Sequence, residues 1–188
     1  MASRLAAPNL ETASLRLREL ALADAEGMHA IYSDPETMKY WSSEPVSSLE
    51  DTRRLVEKDL DAAANGNAMF WGITLAGEDR AIGKCVLFNF SNANRRAEVG
   101  YVLNRRYWKR GLMLEAMGAV IDHAFNELGI HRLEADTDPA NAGSLGLLER
   151  LGFEREGLFR QRWRVYGQWQ DSVMLGLLKA DWEVLRQG

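Results

Sequence analysis

Hydrophobic positions along the chain switch between a period of two and a period near 3.6. Leu15 and Leu17 alternate with Arg16 and Arg18, which predicts a first strand. Residues 22–32 read as a short helix with Asp24 near its start, broken by Asp34-Pro35. Ser47 and Glu50 have capping-box spacing, and the helix they open extends to about residue 64, where Asn65-Gly66 ends it. Segments 68–75, 81–90 and 97–103 are rich in apolar and aromatic residues. Turns at Gly77-Glu78-Asp79-Arg80 and at 91–94 separate them, so they predict an antiparallel meander. A strand at 131–137, a helix at 138–151 stopped by Gly152, two long strands at 153–165 and 170–178 around Tyr166-Gly167, and a short helix at 180–186 complete the pattern. Residues 1–14 contain Pro8 and show neither period. They are expected to form a flexible tail ahead of a single domain spanning 15–188.

The meander leads into residues 104–128, around which the rest of the chain is arranged. Met113, Met117, Val120, Ile121, Ala124 and Leu128 fall on one face of a long helix, and Gly129 follows as its stop. This helix links strand 97–103 to strand 131–137, so the two should lie parallel. The expected fold class is α/β, one mixed and mostly antiparallel sheet with a parallel pair at its centre. Ahead of the helix stands Arg105-Arg106-Tyr107-Trp108-Lys109-Arg110-Gly111. A basic turn entering a helix suits an anion, because the first-turn N–H groups lack partners and the helix dipole is positive there. Gly111 would let a ligand approach the backbone closely. The competing reading is an ordinary surface turn before a core helix.

Composition narrows the choice of function. With 188 residues, 46% of them hydrophobic, the chain can build one well-cored domain. A net charge of −4 argues against a nucleic-acid binder. Yet Arg95, Arg96, Arg105, Arg106, Lys109 and Arg110 crowd one short region, which suggests a local anion site. The lone Cys85 excludes an intramolecular disulfide and any multi-cysteine metal site, and its apolar strand makes it a buried thiol. His29, His123 and His131 show no ligand spacing with one another or with Cys85, so no metal is expected. The chain has no signal-peptide pattern and no apolar run of bilayer length, so a cytoplasmic protein with no membrane partner is expected. Tyr40 and Trp41 stand in an otherwise polar loop, either as a packed lid or as one wall of a substrate site.

The most specific segment runs from Asp138 to Phe153. Asn141, Ser144 and Leu148 share a helix face. Asn141 is a candidate N-cap, in competition with Asp138 followed by Pro139. Together with the Gly111 turn, the segment resembles the GNAT superfamily of acyl-CoA-dependent N-acyltransferases. Its Asn-x-x-Ser-x-x-Leu-Leu-Glu-Arg-Leu-Gly-Phe run is similar to the branch of ribosomal-protein N-terminal acetyltransferases, the Rim type. The resemblance extends from about residue 15 to residue 182, and takes in Ala97-Glu98-Val99-Gly100-Tyr101 and Gly167-Gln168-Trp169-Gln170-Asp171. It implies that strands 97–103 and 131–137 splay apart at one end, with acetyl-CoA in the V between them and helices on both sides. The pyrophosphate would lie on Lys109, Arg110, Gly111, Leu112, Met113 and Leu114, with Arg106 adding charge. Asn141 and Ser144 would face the pantetheine arm and the thioester. The chain departs from the family pattern at Trp108, where Gln or Arg is usual, and at Met113, where a small residue is usual.

Acyl transfer to an amine needs a base, a donor for the developing oxyanion and a proton for the leaving thiolate. Glu98 is the candidate base. Alternation points it to the sheet face opposite Val99 and Tyr101, and the resemblance implies that a glutamate on this strand takes the amine proton. The competing reading pairs it with Arg95 or Arg96. A backbone N–H of Val99 or Tyr101 is the candidate oxyanion donor. Ser144 is the candidate thiolate donor, with Tyr101 and Tyr107 as alternatives. Tyr40, Trp41 and Glu98 are the candidate acceptor contacts, and the Arg162-Trp163 strand could line the same cleft. The function expected is transfer of acetyl from acetyl-CoA to a primary amine by direct attack in a ternary complex. The acceptor is a protein N-terminus, a ribosomal protein among them, or a small amine, and the protein is a monomer or homodimer. The alternative, favoured by Met113, is a non-catalytic acyl-CoA-binding regulatory module.

Overall fold

A computed structural model describes residues 6–187. The strands are β1 (Leu10–Glu11), β2 (Leu15–Glu19), β3 (Ala68–Leu75), β4 (Gly83–Ser91), β5 (Arg96–Leu103), β6 (Arg132–Thr137), β7 (Glu154–Val165) and β8 (Gln168–Leu178). The helices are α1 (Ala25–Tyr32), α2 (Pro35–Met38), α3 (Leu49–Ala64), α4 (Leu112–Asn126), α5 (Ala142–Arg150) and α6 (Lys179–Gln187). All strands join one sheet in the order β1-β2-β3-β4-β5-β6-β8-β7. Every neighbouring pair is antiparallel except β5 and β6, which are linked through α4 and run parallel.

Strand alternation sorts the side chains onto two faces. On one face Leu17, Trp71, Ile73, Leu87, Ala97, Val99, Leu133, Ala135, Leu175 and Leu177 pack with Met117, Val120, Ile121, Ala124 and Phe125 of α4. Truncating a fully buried member such as Leu133 should cost about 2–5 kcal/mol. On the other face a second core joins Met28, Ile31 and Tyr32 of α1 and Val56 and Ala63 of α3 to Ala68, Phe70 and Val102. That second core stops at β5. Beyond it the same face carries Arg132, Glu134 and Asp136 of β6 and Ser172 and Met174 of β8, which are half-buried apart from buried Ser172.

The parallel pair is short. β5 and β6 bridge only at Arg96↔Arg132, Ala97↔Leu133 and Glu98↔Glu134, after which each continues without the other. β6 stays paired with β8 through Thr137, and β5 with β4 as far as Leu103. A wedge therefore opens through the sheet past Glu98.

Four expectations change. Residues 6–14 are not a flexible tail; residues 1–5 of that stretch lie outside the described residues. Leu10 and Glu11 pair with β2, Ala7 is buried, and the Pro8 carbonyl accepts the Trp71 indole N–H at 2.8 Å. A buried indole needs an acceptor, and this segment supplies it. The α3 cap is Ser48, whose Oγ accepts the Asp51 N–H at 3.1 Å, one residue later than the Ser47–Glu50 box. The helix expected from residue 138 begins at Ala142, because Asp138 closes its own turn onto the Ala140 N–H and Asn141 takes the cap. Pro35, expected only to break a helix, also opens the single turn α2.

Candidate active site

The basic turn enters α4 through two left-handed residues, Lys109 at φ +58° and Gly111 at φ +78°. A Cβ built on Gly111 would meet nothing within 4 Å, so the constraint there is the backbone angle and not space. The first helical bond runs from the Glu115 N–H to the Gly111 carbonyl at 3.0 Å. The N–H groups of Leu112, Met113 and Leu114 ahead of it have no acceptor among the described residues. Met113 and Leu112 turn their side chains into the core, and Met113 is 9% exposed. The methionine therefore leaves the turn's outer surface clear.

The six cations do not form one cluster. Arg95 donates to the Gly129 carbonyl at 2.7 Å and Arg96 pairs with Glu134, both at the closed end of the β5–β6 pair. Arg105 pairs with Asp34 at 3.2 Å. Arg106, Lys109 and Arg110 remain exposed beside the turn, Arg110 over the Tyr107 ring. Sequence proximity overstated the cluster because the extended β5 separates the two groups.

A cavity of about 630 Å³ occupies the wedge and reaches both sheet faces. It brings together Tyr40, Trp41, Glu98, Val99, Tyr101, Asn141 and Ser144 from the expected set. The Asn141 Oδ1 caps α5 by accepting the Ser144 N–H at 3.0 Å. The Tyr101 phenol and Ser144 Oγ are hydrogen-bonded at 2.7 Å across the wedge, so the two candidate acids form one pair. Burial pushes the Tyr101 phenol well above the ordinary tyrosine value, although the Ser144 bond opposes it. Tyr107 packs at the edge of the core and is not among the cavity's lining residues. Once β6 departs, every second N–H of β5 faces the wedge without a ladder partner. Glu98 also lines this cavity and has no ion pair among the described residues, since Arg95 and Arg96 are engaged elsewhere.

Much of the opposite bank is built from residues with no motif in the sequence. Lys84 of β4 is 7% exposed and pairs with Asp59 of α3, with the Tyr32 and Phe70 rings against its ammonium. Burial disfavours the Lys84 charge, but Tyr32 and Asp59 outweigh it and its pKa is raised. Asp136 of β6 accepts hydrogen bonds from Arg162, Trp163 and Ser172. A bulge between Phe159 and Trp163 in β7, with Gln161 at φ +53°, carries Arg162 and Trp163 to it. Trp41 stacks edge-on against Tyr32 and closes the far wall. Among the described residues no three His, Cys, Asp or Glu side chains are grouped as metal ligands, and no helix is long and apolar enough to cross a membrane.

The cavity's lining does not include Arg106, Lys109, Arg110, Gly111, Leu112, Met113 or Leu114 of the expected set, so the bare start of α4 stands apart from it. A parallel pair that parts beside a capped helix invites comparison with known proteins. A family model described as the acetyltransferase (GNAT) domain matches residues 14–154. The chain belongs to the GNAT acetyltransferases. Among GNAT relatives, the uncharacterized N-acetyltransferase p20 of Bacillus licheniformis is 35% identical over 173 residues, covering 92% of this chain and 97% of that protein. The ribosomal protein uS5-alanine N-acetyltransferase of Escherichia coli is 36% identical over 121 residues, 62% of this chain and 61% of that one. A solved GNAT-family acetyltransferase from Bacillus anthracis matches with TM-score 0.81 at 28% identity, covering 92% and 99% of the two chains. Mycobacterium smegmatis RimJ, solved in complex with CoA-disulfide, shares the GNAT fold with TM-score 0.81 at 22% identity, covering 93% and 87%.

Proposed function

We propose that this GNAT protein transfers acetyl from acetyl-CoA to a primary amine by direct attack in a ternary complex. The observation that carries the reading is the wedge itself. Glu98 stands on one sheet face and the Tyr101–Ser144 pair on the other, and both line one cavity. The bare N–H groups of Leu112 to Leu114 fit a pyrophosphate, and the exposed Arg106, Lys109 and Arg110 add charge beside it. Core placement of Met113 removes the feature that favoured a non-catalytic regulatory module.

The amine enters from the Glu98 face. Its nitrogen attacks the thioester carbon, and a β5 N–H of the Val99–Tyr101 segment meets the oxyanion. Glu98 takes the proton that nitrogen must lose, directly or through water. The C–S bond then breaks, and the Tyr101–Ser144 pair passes a proton to the departing sulfur. Burial keeps the phenol protonated but weakens it as an acid, so the donation relies on the Ser144 bond, which favours the phenolate. Similarity to a ribosomal-protein alanine acetyltransferase supports an N-terminal amine as acceptor, and the cavity also admits a small amine. In this reading the protein works in the cytoplasm, where both substrates are available.

The test is calorimetric titration with acetyl-CoA, followed by thiol-release assays on an alanine-led hexapeptide and on 1,4-diaminobutane. Micromolar binding with turnover on either amine is the expected result. Binding without turnover on any primary amine would leave a sensor of acyl-CoA in its place.

A further inference from the structure

We infer that Asp136 positions the attacking amine; the inference rests on the acetyltransferase reading above. Asp136 projects from the same sheet face as Glu98, because Leu133 and Ala135 occupy the opposite one. It lies two residues past the last bridge, Glu98↔Glu134, where β5 and β6 have already parted. Strand geometry separates the Glu98 and Asp136 backbones by roughly 8 Å across the wedge, so both carboxylates can reach one nitrogen. Both line the same cavity.

The hydrogen bonding of Asp136 is one-sided. Arg162 Nε at 3.1 Å, Trp163 Nε1 at 3.0 Å and Ser172 Oγ at 2.9 Å all donate to Oδ2. Oδ1 has no donor among the described residues, although the side chain is only 22% exposed. Three donors on one oxygen lock the plane of the carboxylate and leave the other oxygen to accept from a substrate. The neighbouring acidic groups are committed elsewhere. Glu134 serves Arg96 and Arg132, and Asp171 Oδ1 accepts the Gln161 N–H. The positive charge of Arg162 balances Asp136, so the carboxylate can accept an N–H without holding the nitrogen as an ammonium. Asp136 fixes the direction of the nitrogen lone pair while Glu98 takes the proton.

The decisive variant is Asp136→Asn. Arg162 and Trp163 can only donate, so the amide must turn its carbonyl to them and its NH2 to the cavity. The fold keeps its bonds, but the group facing the amine becomes a donor. Acceptor kcat/KM, measured with the alanine-led hexapeptide and with 1,4-diaminobutane, should fall roughly 10- to 100-fold. The Kd for acetyl-CoA and the Tm should stay at wild-type values. Ser172→Ala, which loosens Asp136 without changing the atom it presents, should lower acceptor kcat/KM by only about 3-fold. Wild-type kcat/KM in Asp136→Asn would overturn the inference and leave the acetyltransferase reading standing. Equal losses in acetyl-CoA affinity and Tm would also overturn it, by making Asp136 a purely structural anchor. A wild-type protein that acetylates no primary amine would overturn both.

Discussion

The two banks of the wedge are built in different ways. The bank proposed to hold the donor comes from β5, β6 and α5, with the Gly111 turn and α4 between β5 and β6 in the chain. Much of what it offers is backbone: the bare N–H groups of α4, the unladdered N–H groups of β5 and a capped helix start. The acceptor bank is assembled from side chains on five other segments: Trp41 after α2, Asp59 on α3, Lys84 on β4, Arg162 and Trp163 on β7 and Ser172 on β8. They meet Glu98 and Asp136 only in the folded chain. Backbone donors serve any acyl-CoA equally, whereas side chains can be exchanged one at a time. The donor bank should therefore hold the shared reaction and the acceptor bank its selectivity.

Glu98 stands where the banks meet, and its removal should have the largest effect. Glu98→Gln keeps the shape and removes the proton acceptor, so kcat should fall by roughly 100- to 10,000-fold while acetyl-CoA affinity holds. A rate within threefold of wild type would remove Glu98 as the base and break the division at its centre. Gly111→Glu attacks the donor bank alone. The left-handed angle strains any side chain, and a carboxylate beside the bare helix end repels phosphate. Acetyl-CoA affinity in calorimetry should drop about 100-fold, equivalent to about 2.7 kcal/mol. Unchanged affinity would place the phosphate site elsewhere.

The same contrast explains what could be read from the chain. Strand and helix periods located the core elements and the parallel pair, because the buried faces of β3, β5 and α4 repeat without interruption. The residues proposed for the donor site could be singled out because Asn141, Ser144 and Leu148 lie in one motif and Gly111 precedes one long apolar face. Asp136 and Lys84 were not. Each is a polar residue on a strand face that reads as solvent-facing until the partner segments are known. The bulge that delivers Arg162 and Trp163 has no local signature, since Gln161 adopts a left-handed angle without being glycine. The register of Ser48, one residue beyond the expected cap, reflects two adjacent serines that differ only in tertiary setting.

Within the donor bank, the Tyr101–Ser144 pair should act as a unit. Tyr101→Phe and Ser144→Ala should each lower kcat about 10-fold, and the double variant should lose little more than either single one. Multiplicative losses would mean that the two hydroxyls work independently, despite the 2.7 Å contact. Acceptor KM should not move in any of the three.

The smallest expected effect compares Tyr101 with Tyr32, which lies in the second core behind the acceptor bank. Burial raises the Tyr101 phenol above its unfolded value, as it does for Tyr32 beside Lys84. The folded chain then holds these protons after the unfolded chain has begun to release them near pH 10, so stability must fall as pH rises past that point. Tyr101→Phe removes one such source. Its stability loss between pH 9 and pH 11, followed by urea denaturation, should be smaller than that of wild type by at most about 1.4 kcal/mol. Tyr32→Phe should relieve a loss of the same sign, since burial outweighs the attraction of the Lys84 ammonium for the phenolate. If Tyr101→Phe loses stability over this range as steeply as wild type, its phenol does not face a dry interior, and the donor bank is wetter than its hydrogen bonds imply.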